Sequence, residues 1–217
     1  MKEKINDGTY LCLVLIFLIA FIQITWKILT LLFPFLTPEY GSKYIEAIMC
    51  VAMVFLWKTT DFVQPWLGMK VEKSAIRKTV ATCVLIAVAI TAVYVIARLI
   101  LQNFVPEIAA RPFFRTYIHV KLRRIYFLTV IVQEILSKSV LQYTLEKCLP
   151  KNKWKTAILA SAAIFGMLHI HQTPYYIIGS MILATVSGII YHKQGNNWAV
   201  STLHFFLAFL PRCFGLK

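Results

Sequence analysis

Seven apolar runs, separated by short polar or basic stretches, make up most of the 217-residue chain. A segment inside a membrane must satisfy its backbone hydrogen bonds internally, so long apolar runs of this kind predict helices. The first run is too long for a signal-peptide core and lacks a small-residue cleavage site, so we expect it to be a retained helix. The runs are residues 10–36, 44–57, 79–101, 125–145, 156–168, 175–191 and 198–209.

The composition favours a membrane protein over a soluble one. Hydrophobic residues make up 59% of the chain and charged residues 15%. A soluble domain of this size has too little interior to hide so much apolar surface, and the same composition excludes intrinsic disorder. We predict an all-α fold, a polytopic integral membrane helix bundle that forms one domain over residues 1–217. Seven or eight membrane helices are expected, the eighth within residues 102–124, where aromatic and basic residues mix.

The basic residues concentrate between the apolar runs. The chain carries 23 Lys and Arg against 9 Asp and Glu, a net charge of +14. The segments 58–78 and 145–155 carry five and four basic residues, and both fall on the side of the N-terminus if the runs alternate across the membrane. Positive loops favour the cytoplasmic side and attract anionic lipids. We therefore expect membrane lipids as partners, a cytoplasmic N-terminus and no nucleic-acid binding.

Four polar residues lie inside or at the end of the apolar runs. Glu134 and Lys138 occupy the middle of the fourth run, His169 ends the fifth, and His204 lies in the seventh. A charge at mid-membrane costs roughly 2.5–3.5 kcal/mol on insertion scales, so such residues usually face the interior of the bundle. Glu134 precedes Lys138 by four residues, which predicts that the two side chains share a helical face and can pair.

A carboxylate and two imidazoles on three helices fit several kinds of chemistry. A carboxylate and an imidazole can hold and deprotonate a water molecule, and a second imidazole can stabilise an oxyanion. Glu134, His169 and His204 are equally candidate ligands for a divalent metal such as zinc, or a proton relay in a carrier. An aspartyl dyad is excluded because Asp7 and Asp61 lie outside the runs. The sequence contains neither HExxH nor GxSxG, and its five cysteines form no CxxC pair.

The order of these motifs resembles the CAAX-protease and bacteriocin-processing family of intramembrane peptidases, called CPBP or Abi. That family carries EExxxR on one helix, FxxxH on the next and HxxxN or HxxxB near the C-terminus. The matching stretches here are Gln133-Glu134-x-x-x-Lys138, Phe165-x-x-x-His169 and His204-x-x-x-Ala208. The resemblance covers residues 125–209.

The resemblance implies a helical bundle with a conical cavity that opens toward the cytoplasmic leaflet. It also implies an endopeptidase that acts on a small peptide or protein substrate at the membrane. The bacteriocin-associated branch of the family points to a multi-pass protein of the bacterial plasma membrane. Carried over by position, Gln133 and His169 become the water-activating pair, and His204 and Ala208 become the oxyanion pair.

Three departures from the family pattern bear on activity. The amide of Gln133 cannot act as a general base, and Lys138 lacks the bidentate fork of the family's arginine. Ala208 lacks the side-chain donor of asparagine, and loss of one oxyanion donor typically costs about 10²–10³ in rate.

Two further alternatives stay open beside the carrier. In an active enzyme, Glu134 serves as the acid/base with His169 as its partner. His204 then donates to the oxyanion, and Lys138 orients the acid. The other alternative is an inactive family member that serves in bacteriocin self-immunity or binds a partner protein.

Overall fold

The chain folds into packed helices in the computed structural model, which describes residues 8–36, 38–61, 63–115, 120–170 and 173–216. These ranges hold α-helices joined by turns and contain no β-strand, which confirms the all-α prediction. A π-helical segment, Ile135–Gln142, joins α5 to α6 in one continuous helix. The helices are α1 (Gly8–Leu32), α2 (Pro38–Thr59), α3 (Ile76–Leu101), α4 (Pro106–Ala109), α5 (Val120–Glu134), α6 (Tyr143–Cys148), α7 (Trp154–Met167), α8 (Pro174–Gln194) and α9 (Trp198–Cys213).

The long helices cover the predicted apolar runs. Only some of these helices are both long enough and apolar enough to cross a membrane. Two stretches are long and apolar enough to cross a membrane by length and composition, Pro65–Leu101 and Pro174–Gln194. Two shorter apolar helical stretches are Ile16–Leu32 and Trp154–Met167. Within the described ranges, the predicted seven or eight membrane helices are therefore not confirmed, and that number stays a prediction. In place of the expected eighth helix, the described part of 102–124 holds the single turn α4 and the start of α5.

The packing joins neighbouring helices into two apolar cores. One core joins α1, α2 and the π-helical segment through residues such as Ile22, Met49 and Leu141. The other joins α3 to α9 through Ile90 and Leu203. The remaining outer surface is strongly apolar, as a lipid-facing surface is expected to be. On α3 alone, Val84, Leu85 and Val88 are 57%, 69% and 60% exposed.

A loop between α2 and α3 is clamped against the π-helical segment. The backbone N–H of Gln64 donates to the carbonyl of Ser139 at 3.0 Å. Asn197, at the start of α9, donates through Nδ2 to Ser139 Oγ at 2.7 Å and to the Leu67 carbonyl at 2.8 Å. Trp66 and Leu67 have positive φ values of 55° and 53°, a conformation that non-glycine residues rarely adopt. These hydrogen bonds hold the loop in its strained turn and fix α9 against the π-helical segment.

Small residues let α7 and α8 approach closely. Ala162 and Ala184 are each 2% exposed and pack together with Phe165. A Cβ atom added at Gly188 would lie 2.8 Å from Ile158 Cγ2 and 2.8 Å from Gln142 Oε1. The helices can therefore keep this spacing only while position 188 has no side chain.

We expect Gly188→Ala to destabilise the protein by about 1–3 kcal/mol, because the added methyl group overpacks a buried contact. The measurement is the midpoint of thermal unfolding in detergent. Gly179→Ala on the same helix is the matched control, since a Cβ there meets nothing within 4 Å. Gly179→Ala should leave the midpoint unchanged or raise it, because alanine favours helix over glycine. Equal midpoints for the two variants would contradict the close-packing account.

Candidate active site

Glu134 and His204 form a buried pair between α5 and α9. His204 Nδ1 lies 2.8 Å from Glu134 Oε1, and the two residues are 8% and 2% exposed. A carboxylate only accepts hydrogen bonds, so Nδ1 carries the donated proton. Glu134 therefore orients the imidazole. Oε2 of Glu134 is buried and has no hydrogen-bond partner among the described residues.

Lys138 does not form the ion pair with Glu134 that the sequence suggests. Its side chain is fully buried, and Nζ donates to the backbone carbonyl of Ala184 on α8 at 2.8 Å. It is still close enough to Glu134 for the two charges to interact. The two residues do lie on interior faces, as predicted, but each finds its hydrogen-bond partner on another helix. Lys138 thus ties the π-helical segment to α8.

His169 lies in the turn that follows α7. Its Nδ1 lies 2.8 Å from the carbonyl of Phe165, four residues earlier, so Nδ1 donates and the neutral ring keeps its lone pair on Nε2. The ring also packs against Phe165 and Tyr176, with ring centroids 4.7 and 5.6 Å away. The FxxxH spacing therefore fixes the ring and its tautomer. The other histidine nearby in the sequence, His171, lies outside the described residues.

A cavity of about 50 Å³ opens beside His169. It has room for more than one water molecule. Its polar lining comes from Glu46, Gln133, Ser137 and His169, and its other lining residues are apolar, including Phe165. Ser137 Oγ is buried and has no hydrogen-bond partner within the described ranges. The predicted partners Gln133 and His169 thus share one cavity, whereas Glu134 and His204 do not line it.

Glu46 on α2 is a site residue that sequence reasoning missed. Its Oε1 accepts a hydrogen bond from Gln133 Nε2 at 2.7 Å, and its Oε2 lies 3.0 Å from Lys43 Nζ. The available signal was its position, because Glu46 and Glu134 are the only acidic residues inside the seven apolar runs. An acidic residue within a membrane segment is by default a functional candidate.

His169 and His204 lie near each other, but among the described residues they do not form a metal site. His204 and Glu46 both lie close enough to His169 for their charges to interact with it. In the part of the chain that the structure describes, no three His, Cys, Asp or Glu side chains come together as ligands for a metal ion. Glu134, His169 and His204, the candidate ligands named from the sequence, are therefore not grouped as a metal-binding set among the described residues.

A comparison with known protein families finds a match for the motif-bearing part of the chain. Residues 116–210 match the family model described as type II CAAX prenyl endopeptidase Rce1-like. The match contains all three motif stretches, and it ends before Arg212. No curated protein and no solved structure matches the chain significantly.

We expect His204→Ala to destabilise the protein by roughly 3–5 kcal/mol, because it leaves the Glu134 carboxylate buried without its hydrogen-bond donor. The measurement is equilibrium unfolding in mixed detergent micelles. His192→Ala is the matched control, since His192 faces Glu146 at 3.2 Å with 34% of its side chain exposed. A surface pair of that kind contributes at most about 1 kcal/mol. Equal losses in the two variants would show that the Glu134–His204 pair adds nothing beyond a surface contact.

Proposed function

Starting from the membership of residues 116–210 in the Rce1-like family of type II CAAX prenyl endopeptidases, we propose that this chain is an intramembrane endopeptidase. Its substrate is a small peptide or protein at the membrane. We further propose that it is a multi-pass protein of the bacterial plasma membrane. The observation that carries the proposal is the water-sized cavity lined by His169 and Gln133, with the His169 ring held in place by its Nδ1 contact to the Phe165 carbonyl.

The proposed mechanism is attack of a cavity water on a peptide carbonyl. His169 lines the cavity, and its imidazole orients the water. His204, which lies outside the cavity lining, takes the oxyanion-donor role that the last motif implies, and Glu134 orients its ring through Nδ1. Glu134 is thus a positioning residue instead of the acid/base that the sequence suggests. Lys138 is also a positioning residue, because its hydrogen bond to a backbone carbonyl of α8 holds that helix in place.

A second candidate function is a non-catalytic membrane protein that binds a partner, as in bacteriocin self-immunity. Two substitutions favour it. Gln133 carries an amide where the family motif has a carboxylate, and Ala208 lacks the side-chain donor of the last motif. The fold and the cavity are compatible with a binding role, so activity must be measured directly.

We expect the purified protein in liposomes to cleave a peptide, and His169→Ala to lower the rate by about 10²–10⁴, the usual contribution of a positioned acid or base. The first substrate is a prenylated CAAX peptide, the class that the family's name indicates, beside an unprenylated peptide of the same sequence. Products are identified by mass spectrometry.

His192→Ala is again the control, because His192 stacks on Trp154 and lies outside the cavity lining. It should cleave like the wild type. Cleavage by His169→Ala at the wild-type rate would show that His169 is not in the catalytic machinery. A wild type that cleaves neither peptide would favour the partner-binding function.

A further inference from the structure

The site contains a carboxylate that does not come from the matched family segment. Gln133 occupies the motif position where the family has its first glutamate, but Gln133 Nε2 lies 2.7 Å from Glu46 Oε1. Glu46 belongs to α2, and the matched segment begins only at residue 116. The carboxylate that is missing at position 133 is therefore present in the same cavity, as Glu46 on the neighbouring helix α2.

We propose that Glu46 is the general base of this protein, a catalytic carboxylate supplied by α2 in place of the motif glutamate. The inference rests on the proposed peptidase function and names the group that accepts the proton from the attacking water. Glu46 and His169 line the same cavity and interact electrostatically. A water held between them would donate one hydrogen bond to each.

The contacts of Glu46 hold its carboxylate in place at the cavity. An ionised carboxylate has about four acceptor sites. The described contacts occupy two of them, one with the Gln133 amide and one with the Lys43 ammonium. Gln133 is therefore the hydrogen-bond donor that holds Glu46 in place. The remaining acceptor sites are free to bind water.

The step balances without any other reactant. The water oxygen forms a bond to the carbonyl carbon, and one water proton passes to the Glu46 carboxylate. When the C–N bond breaks, Glu46 returns that proton to the leaving amine. The products are a carboxylic acid and an amine, and Glu46 is again ionised.

The matched control lies on the same continuous helix as Gln133. Gln142 Nε2 donates to Glu146 Oε1 at 2.8 Å, so Gln142–Glu146 repeats the amide–carboxylate contact of Gln133–Glu46. Glu146 does not line the cavity. Comparing Glu46→Gln with Glu146→Gln therefore separates loss of a carboxylate in the cavity from loss of any carboxylate that contacts a glutamine.

The test measures cleavage of the prenylated CAAX peptide by four forms of the full chain in liposomes. Glu46→Gln keeps the size of the side chain and an amide oxygen that can accept from Gln133, and it removes the carboxylate that would take up the proton. We expect its kcat to fall by about 10²–10⁴ with little change in KM. Glu146→Gln should cleave like the wild type. The double variant Glu46→Gln with Gln133→Glu moves the carboxylate to the family's motif position and should recover at least about tenfold over Glu46→Gln.

The outcomes separate this inference from the proposed function. If Glu46→Gln cleaves like the wild type while His169→Ala does not, the peptidase function stands and Glu46 is only structural. If Glu46→Gln and Glu146→Gln lose activity and unfold at lower temperature alike, the loss is structural and the inference is wrong. If the wild type and the double variant are both inactive, the proposed function and the inference fail together.

Discussion

A buried polar side chain in an apolar bundle must find its partner within the protein, because hydrocarbon offers no hydrogen bonds in place of water. In this chain many of these buried polar side chains lie on the continuous helix formed by α5, the π-helical segment and α6. Lys138 bonds to α8 through the Ala184 carbonyl, and Gln142 bonds to α8 through the Gly188 carbonyl. Glu134 bonds to α9, and Gln133 bonds to α2. One helix thus fixes the positions of three others through hydrogen bonds that the surroundings cannot replace.

The π-helical segment lies where these bonds are densest. Such segments often occur at functional sites, since the wider turn changes which backbone groups are paired. Here the carbonyl of Ser139, within the segment, accepts the backbone N–H of Gln64 from the clamped loop. The same segment supplies Ser137 to the cavity and Lys138 to α8. The geometry of the candidate site therefore depends on a local departure from α-helical hydrogen bonding.

The helices could be predicted from the sequence because apolar runs are a local signal. The FxxxH contact is equally local, since a histidine four residues after a phenylalanine can reach its carbonyl in one helical turn. The burial of His204 could also be predicted, because it is a polar residue inside an apolar run. What joins the helices could not be predicted this way. The partner of Glu134 is 70 residues away and that of Gln133 is 87 residues away, and spacing within one helix carries no information about such contacts.

Glu134 and Lys138 show that contacts between helices can override the i,i+4 pairing rule within one helix. Glu134 and Lys138 are spaced to share a helical face. An imidazole and a backbone carbonyl on other helices nevertheless provide the partners in the folded chain. Pairing the two charges with each other would have left His204 without its acceptor and would have removed the bond from Lys138 to α8, one of two such bonds beside that of Gln142. The arrangement observed satisfies more buried groups, which matters more in this environment than the strength of one contact.

The amide at position 133 and the acid at position 46 are best understood as one feature. Two carboxylates in hydrogen-bond contact cannot both stay ionised, so one of them must hold a proton. With glutamine at 133, the contact at 2.7 Å joins an amide donor to a carboxylate acceptor. The substitution that removes a base from the motif therefore also removes the repulsion that a glutamate there would exert on Glu46. The carboxylate on α2 and the amide on α5 thus place one acid in the cavity that His169 lines.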